Sequence, residues 1–146
     1  MFNAGVGRIK KLKLKKVTTL RTSSYYSCVS SYEFISPSIK KVGAFKKIVT
    51  ILCDAGANAN SKSHHLVQFA LMAVAYMEHL ENRTNPRVAL LNIGKEENKG
   101  NELAIATYPM LKQHVNNFIG NIESRDILEG NADVIICDGF TGNIVL

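Results

Sequence analysis

Four short apolar runs recur between residues 47 and 138, and each ends on Asp, Asn or Gly: Lys47–Asp54 (KIVTILCD), Arg87–Asn92 (RVALLN), Asn117–Gly120 (NFIG) and Ala132–Asp138 (ADVIICD). Runs of Val, Ile, Leu and Ala without polar alternation predict strands buried on both faces. The intervening segments have helical spacing. Ser63 is the expected N-cap of a helix of about 18 residues that sets Leu66, Phe69, Ala70, Ala73, Val74, Met77 and Leu80 on one face. Asn85-Pro86 breaks the chain before the second run. A second helix is expected over Asn101–His114, a short one over Glu123–Leu128, and Asp138-Gly-Phe-Thr-Gly-Asn opens another. Pro109 falls inside the second helix, where an interior proline costs about 3 kcal/mol. Alternating strands and helices predict an α/β domain over residues 46–146, three-layered, with a mainly parallel sheet of about four strands and helices on both faces.

Composition separates this part from what precedes it. Residues 1–50 hold nine Lys and two Arg against the single acid Glu33, a net +10. Residues 51–146 hold four Lys and three Arg against eleven acids, a net −4, and the two parts sum to the overall +6. The first 45 residues, with Lys10–Lys16 carrying five lysines and a Ser-, Thr- and Tyr-rich stretch after them, read as a basic, poorly ordered arm. The arm shows no aromatic stacking pattern, helix-turn-helix or zinc-finger spacing, so no nucleic-acid partner is expected. Attraction to an anionic membrane surface is the weaker positive reading of its lysines.

No apolar run reaches the roughly 18 residues of a spanning helix. No apolar segment with a small-residue cleavage site opens the chain, so export is not expected. Cys28, Cys53 and Cys137 are too few and too widely spaced for a disulfide scaffold or a CxxC zinc site. A cytoplasmic location is the default. Cys53 and Cys137 lie in the strand runs and read as buried structural thiols.

In open α/β sheets, ligands bind beyond the carboxyl ends of the strands. The unusual polar residues of this chain gather there: Asp54, Gly56, Asn58 and Asn60 after the first run, and Asn92, Gly94, Glu96, Glu97, Lys99, Gly100 and Asn101 after the second. Gly120, Asn121 and Glu123 follow the third, and Asp138, Gly139, Thr141, Gly142 and Asn143 the fourth. Glycine admits close backbone approach to an anion, helix starts add partial positive charge, and Lys99 adds a full one. Asn and Thr are equally at home in ordinary turns. The loops contain neither GxxxxGK[ST] nor GxGxxG, which excludes a P-loop and a dinucleotide fingerprint. His64 and His65 fall in the first turn of the long helix, and no metal-ligand spacing accompanies them. No metal is expected.

The stretches Asp54-Ala-Gly-Ala-Asn58, His65-Leu-Val-Gln-Phe-Ala70, Glu97-Asn-Lys-Gly-Asn101, Asn117-Phe-Ile-Gly-Asn-Ile-Glu123 and Asp138-Gly-Phe-Thr-Gly-Asn143 closely resemble, in order and spacing, the PlsX family of bacterial phosphate acyltransferases. The resemblance runs from about Ile51 to Leu146. It implies a fold similar to phosphate acetyltransferases, a homodimer, and conversion of acyl-carrier-protein thioester plus inorganic phosphate into acyl phosphate plus free carrier protein. It also implies a place in fatty acid and phospholipid synthesis, with product passing to a membrane-bound glycerol-phosphate acyltransferase and peripheral contact with the membrane. No cofactor is implied.

Phosphate is itself a competent nucleophile, so such a site must hold it against a thioester carbonyl and stabilise the developing oxyanion. Lys99, Asn101, Thr141 and Asn143 suit that task, with His65 polarising the carbonyl or protonating the departing thiolate. The catalytic expectation is therefore His65, Lys99 and Asn101. Asp54, Gly56, Asn58, Asn92, Glu97, Gly100, Asn121, Glu123, Asp138, Gly139, Thr141, Gly142 and Asn143 are expected around the phosphate, the acids orienting donors. The resemblance is partial, since family members are roughly twice as long. A catalytically inactive, truncated or frame-disrupted fragment is the alternative expectation.

Overall fold

The computed structural model describes the backbone of residues 13–21, 26–35 and 47–145, and side chains from Val49 onward apart from Leu128. Ten main elements follow in order: β1 (Lys13–Arg21), β2 (Tyr26–Ile35), β3 (Lys47–Cys53), α1 (Ser63–Leu80), β4 (Val88–Leu91), α2 (Glu102–His114), β5 (Phe118–Ile122), a 3-10 turn (Ser124–Glu129), β6 (Val134–Ile136) and α3 (Gly139–Val145). They build one sheet in the order β1-β2-β3-β6-β4-β5.

The four strands read from the sequence run parallel. Ile51 pairs with Val134 and Cys53 with Ile136, Val88 with Val134, and Leu91 with Ile122. The sequence pattern did not reveal β1 and β2, which pair antiparallel with each other, β2 also pairing antiparallel with β3 from Ser30 opposite Leu52 to Ile35 opposite Lys47. The expected poor order of the arm falls in part on residues 1–12, 22–25 and 36–46, outside the described residues.

Alternate residues of the buried strands supply two cores. Ile51, Val88, Leu90, Val134 and Ile136 face α1 and α2, where Leu66, Phe69, Ala70, Ala73, Met77 and Leu111 close the layer. Leu52, Ala89, Leu91, Ile135 and Cys137 face the other way, against Ile122, Ala132, Ile127 of the 3-10 turn and Val145 of α3. Helical elements therefore cover both faces, as the unbroken apolar runs require. No helix among the described residues is long and apolar enough to cross a membrane.

Two local details differ from expectation and a third agrees with it. Ser63 is the first residue of α1 and Lys62 is its N-cap. The Lys62 N–H donates to Nδ1 of His65 at 3.1 Å while the Lys62 carbonyl accepts from the His65 N–H at 2.9 Å. A neutral histidine thus reaches back to the cap as a glutamate does in a capping box. β5 starts one residue later than expected and ends two later, because Asn117 takes a left-handed φ of 55° and its amide donates to the Asn85 carbonyl. Pro109 does lie inside α2, with its ring on the exposed side, and the helix continues to His114.

Candidate functional site

The carboxyl ends of β3, β4, β5 and β6 open on the same edge of the sheet because the four strands are parallel. What each loop does there follows from its hydrogen bonds.

After β3, the fully buried Asp54 organises its own loop: Oδ1 accepts from the Ala57 N–H at 3.1 Å, and Oδ2 from the Asn58 backbone and side-chain amides at 2.7 and 3.1 Å. Its backbone N–H donates to the Cys137 carbonyl, which ties the ends of β3 and β6 together. The Cys53–Asp54 peptide is cis. Asn58 in turn accepts the Gly139 N–H through its carbonyl at 3.0 Å. α3 sits so close to this loop that a Cβ on Gly142 would collide with the Asp54 carbonyl oxygen, and one on Gly139 would lie 2.9 Å from Asp54 Oδ2. Glycine is required at position 142 for this approach. Asp138 caps α3, with Oδ1 accepting the Thr141 N–H at 2.7 Å and Oδ2 the Thr141 hydroxyl at 2.9 Å.

After β4, Asn92 folds the charged loop. Its amide donates to the Lys99 carbonyl at 2.8 Å, and its Oδ1 accepts the Ile93 N–H at 2.8 Å. Gly100 has φ +101° and its missing Cβ makes room for Asn92 Oδ1, so no other residue fits without strain. Asn101 caps α2 by accepting the Ala104 N–H at 2.9 Å, which commits its carbonyl oxygen to the helix and leaves its amide group as a donor. Asn121, buried at the end of β5, donates to the Glu96 carbonyl at 2.8 Å, while its Oδ1 has no hydrogen-bond partner.

A cavity of about 730 Å³ occupies this edge. Its lining mixes polar groups of Asn92, Asn101, Glu123, Ser124, Asp138 and Thr141 with apolar residues of α1, β4, the first turn of α2 and α3. The charged loop and the Asp138 loop thus converge. Two carboxylates on the rim are already engaged, Glu123 by Arg125 at 3.0 Å and Asp138 by Thr141. Among the described residues, no Lys, Arg or His lines the cavity.

Apart from Cys137, which lines the cavity, the other residues singled out from the sequence lie nearby but outside this lining. Lys99 is exposed, its Cγ against Gly94. Glu97 turns away to Lys112 of α2 at 3.0 Å, and that hydrogen bond holds its carboxyl below the usual range. Gly56 and Asn143 face each other across the β3 and α3 loops. Asp54, Asn58, Asn121, Gly139 and Gly142 shape the backbone behind the cavity. His65 is half-buried; burial, then the neighbouring His64 and Lys62, lower its pKa, so it stays neutral at pH 7. With Nδ1 accepting from Lys62, the proton of the neutral ring is on Nε2. Cys53 and Cys137 are buried, and desolvation followed by Asp138 and Asp54 pushes the Cys137 thiol up, which disqualifies it as a nucleophile. Sequence reasoning missed Ser124, Leu66, Leu103, Ala104 and Val145. Their signal was position: each lies on a helical turn or in α3 close to a predicted loop, but an apolar residue there reads first as core.

The described residues thus form a mainly parallel α/β sheet with a cavity at its carboxyl edge, the place where open α/β sheets bind ligands. Residues 31–146 match the fatty acid synthesis protein family, and the chain belongs to that family. It is 42% identical over 152 residues to a phosphate acyltransferase of Dictyoglomus turgidum, covering 97% of this chain and 45% of that relative. Over 96 residues it is 54% identical to a phosphate acyltransferase of Bacillus pumilus and 56% identical to one of Heliobacterium modesticaldum, in each case 66% of this chain and 29% of the relative. The chain thus spans less than half the length of these relatives.

Proposed function

We propose that the chain carries phosphate acyltransferase chemistry: acyl-carrier-protein thioester plus inorganic phosphate gives acyl phosphate plus free carrier protein. The observation that supports this most is the convergence of the Gly100–Asn101 and Asp138–Thr141 segments on one cavity of mixed polar and apolar lining. In the reaction a phosphate oxygen bonds to the thioester carbon, the carbon–sulfur bond breaks, and the thiolate takes up a proton. The Asn101 amide, the Gly100 backbone and the start of α2 face the phosphate and the developing oxyanion, while Thr141, whose N–H and hydroxyl both donate to Asp138, holds the facing loop in place. Neutral His65 offers its Nε2–H as a hydrogen-bond donor to the leaving sulfur, and the thiolate takes the proton that the attacking hydrogen phosphate gives up. Lys99 enters from the exposed loop as a long-range attraction for phosphate. Asp54, Asn58, Asn92, Gly56, Gly139, Gly142 and Asn143 hold the loops in place, and Glu97, Asn121 and Glu123 hold the charged loop and the end of β5. In this reading the protein is a cytoplasmic homodimer with peripheral membrane contact, and passes its product to a membrane-bound glycerol-phosphate acyltransferase.

The direct test is incubation with long-chain acyl-carrier protein and phosphate, following release of the carrier thiol. Phosphate-dependent thiol release supports the proposal, and none in the presence of bound phosphate favours the second reading, a binding-competent but inactive fragment. Two observations favour that reading: the chain spans 45% or less of these relatives, and no cation lines the described cavity. Calorimetry sharpens the choice. Lys99→Ala should weaken phosphate binding by up to about tenfold through loss of a long-range attraction that added salt screens, and Thr141→Val by less, because it only loosens the Asp138 loop. Equal affinities in all three proteins would remove both residues from the site.

A further inference from the structure

We propose that Tyr108, in the middle of α2, is a positioning residue for the phosphate end of the site: with Lys112 it holds Glu97, and through Glu97 the loop that delivers Gly100 and Asn101. This rests on the function proposed above and adds how its anion-facing backbone is kept in place. Residues 93–99 bury no apolar side chain, since Ile93, the one large hydrophobic among them, is 81% exposed. Polar ties therefore set the loop's place. Lys95 meets Asp126 at 3.1 Å and the Glu96 carbonyl accepts from the Asn121 amide at 2.8 Å, which fastens one side of the loop to the 3-10 turn and β5. The other side hangs on Glu97, whose Oε1 accepts from Lys112 Nζ at 3.0 Å. The side chains of that pair are 64% and 63% exposed, and an exposed ion pair contributes little by itself. Tyr108 makes the joint directional. Its ring stands edge-on to Phe118 of β5 with centroids 5.2 Å apart, Lys112 Nζ lies 6.0 Å from its centroid, and its hydroxyl is hydrogen-bonded to Glu97. Burial, followed by Glu97, raises the Tyr108 pKa, so the hydroxyl keeps its proton as a donor to the carboxylate. Gly120 of β5 leaves that hydroxyl room: a Cβ there would lie 3.3 Å from the Tyr108 oxygen, on a backbone with φ +95°. Only Asn98 and Lys99 separate Glu97 from Gly100, so a shift of the joint carries the backbone donors at the start of α2 with it. A misplacement of about 1 Å there is enough to spoil a contact with an anion.

The test compares the full chain with Tyr108→Phe, Glu97→Ala and the double variant. Tyr108→Phe keeps the ring against Phe118 and removes the hydroxyl alone. Calorimetry with inorganic phosphate should show binding weaker by about three- to tenfold in Tyr108→Phe, the order of one net hydrogen bond. In the Glu97→Ala background the same change should have no further effect, because the hydroxyl has lost the group it holds. A packing role alone would instead lower the melting temperature and leave phosphate affinity as it was. Wild-type affinity in Tyr108→Phe, or an equal loss when Glu97 is absent, overturns the proposal. A wild-type chain that binds no phosphate sinks the function reading, and the joint is then read from hydrogen exchange of the Lys99 amide, which donates to the Glu96 carbonyl at 3.2 Å. Exchange several-fold faster in Tyr108→Phe, and no faster in the double variant than in Glu97→Ala, supports the joint. Unchanged exchange in Tyr108→Phe overturns it.

Discussion

At the amino ends of β4 and β6 a buried carboxylate, Asp133, is met by Arg87 through two contacts of 2.9 and 3.1 Å and by Arg83 at 3.5 Å, and Arg87 also donates to the Gly130 carbonyl. The Arg87 backbone N–H donates to the same carboxylate at 2.8 Å. At the carboxyl ends of the same strands, Asp54, Asn92, Asn101 and Asp138 spend their oxygens on neighbouring backbone N–H groups, and the space they frame is a cavity. One edge is closed by an ion cluster between distant segments, 46 residues apart. The other is shaped by short-range caps that leave donors pointing outward. Where charge is matched the fold is locked, and where loops satisfy themselves locally a ligand can enter without breaking the fold.

The largest expected effect of disturbing this contrast is at the closed edge. Arg87→Ala leaves Asp133 buried with only Arg83 and backbone support. It should cost about 2–3 kcal/mol in urea unfolding, below the roughly 3–5 kcal/mol of a fully buried pair because the Arg87 side chain is 40% exposed. Burial alone would raise the Asp133 pKa, but hydrogen bonds from the Arg87 side chain and backbone outweigh it and hold the carboxyl below its ordinary range. The unfolded chain therefore binds more protons in acid. The stabilisation is complete above the unfolded value near about 3.9 and is lost as pH falls through the folded one. The acid-unfolding midpoint should thus rise in Arg87→Ala, and an unchanged midpoint would show that the pair does not carry it.

At the open edge, the tightest joint is α3 against the β3 loop. Gly142→Ala forces a methyl against the Asp54 carbonyl and should cost about 1–3 kcal/mol. It should also disturb phosphate binding, which the Arg87 change should spare. A neutral Gly142→Ala would mean that α3 is not seated as described. A smaller effect concerns the arm. We propose that residues 1–45 form a unit of lower stability appended to residues 46–146. β1 is an edge strand whereas β6 is central, so amides of β1 should exchange at least about tenfold faster than those of β6. Equal protection in native-state hydrogen exchange would merge the two regions into one cooperative unit.

The four parallel strands, the long helix and the helix starts near Asn101 and Asp138 were legible in the sequence because they rest on local chemistry, unbroken apolar runs and helical spacing, whereas the capping roles of Asn101 and Asp138 emerge only from the structure. The carboxyl-edge residues were legible as a group but not one by one. Nothing in Glu97-Asn-Lys-Gly-Asn101 says that Glu97 will turn to Lys112, fifteen residues away, or that Lys99 will lie outside the cavity while Asn101 lines it. Leu103 and Ala104 carried no polar signal at all. β1 and β2 escaped because the pairing of β2 to β3, and of β1 to β2, is a tertiary contact that propensity does not encode. Ser63 lost the cap to Lys62 because His65 supplied the return hydrogen bond, an option that composition rules rank low.

The contrast between the two edges is tested most directly by amide chemical-shift mapping with inorganic phosphate. The account predicts that shifts concentrate at Gly100, Asn101 and the following turn of α2, and at Thr141–Asn143, with the amides around Arg83, Arg87 and Asp133 unmoved. Shifts confined to the Arg83–Arg87 edge or to the lysines of residues 10–16 would contradict it.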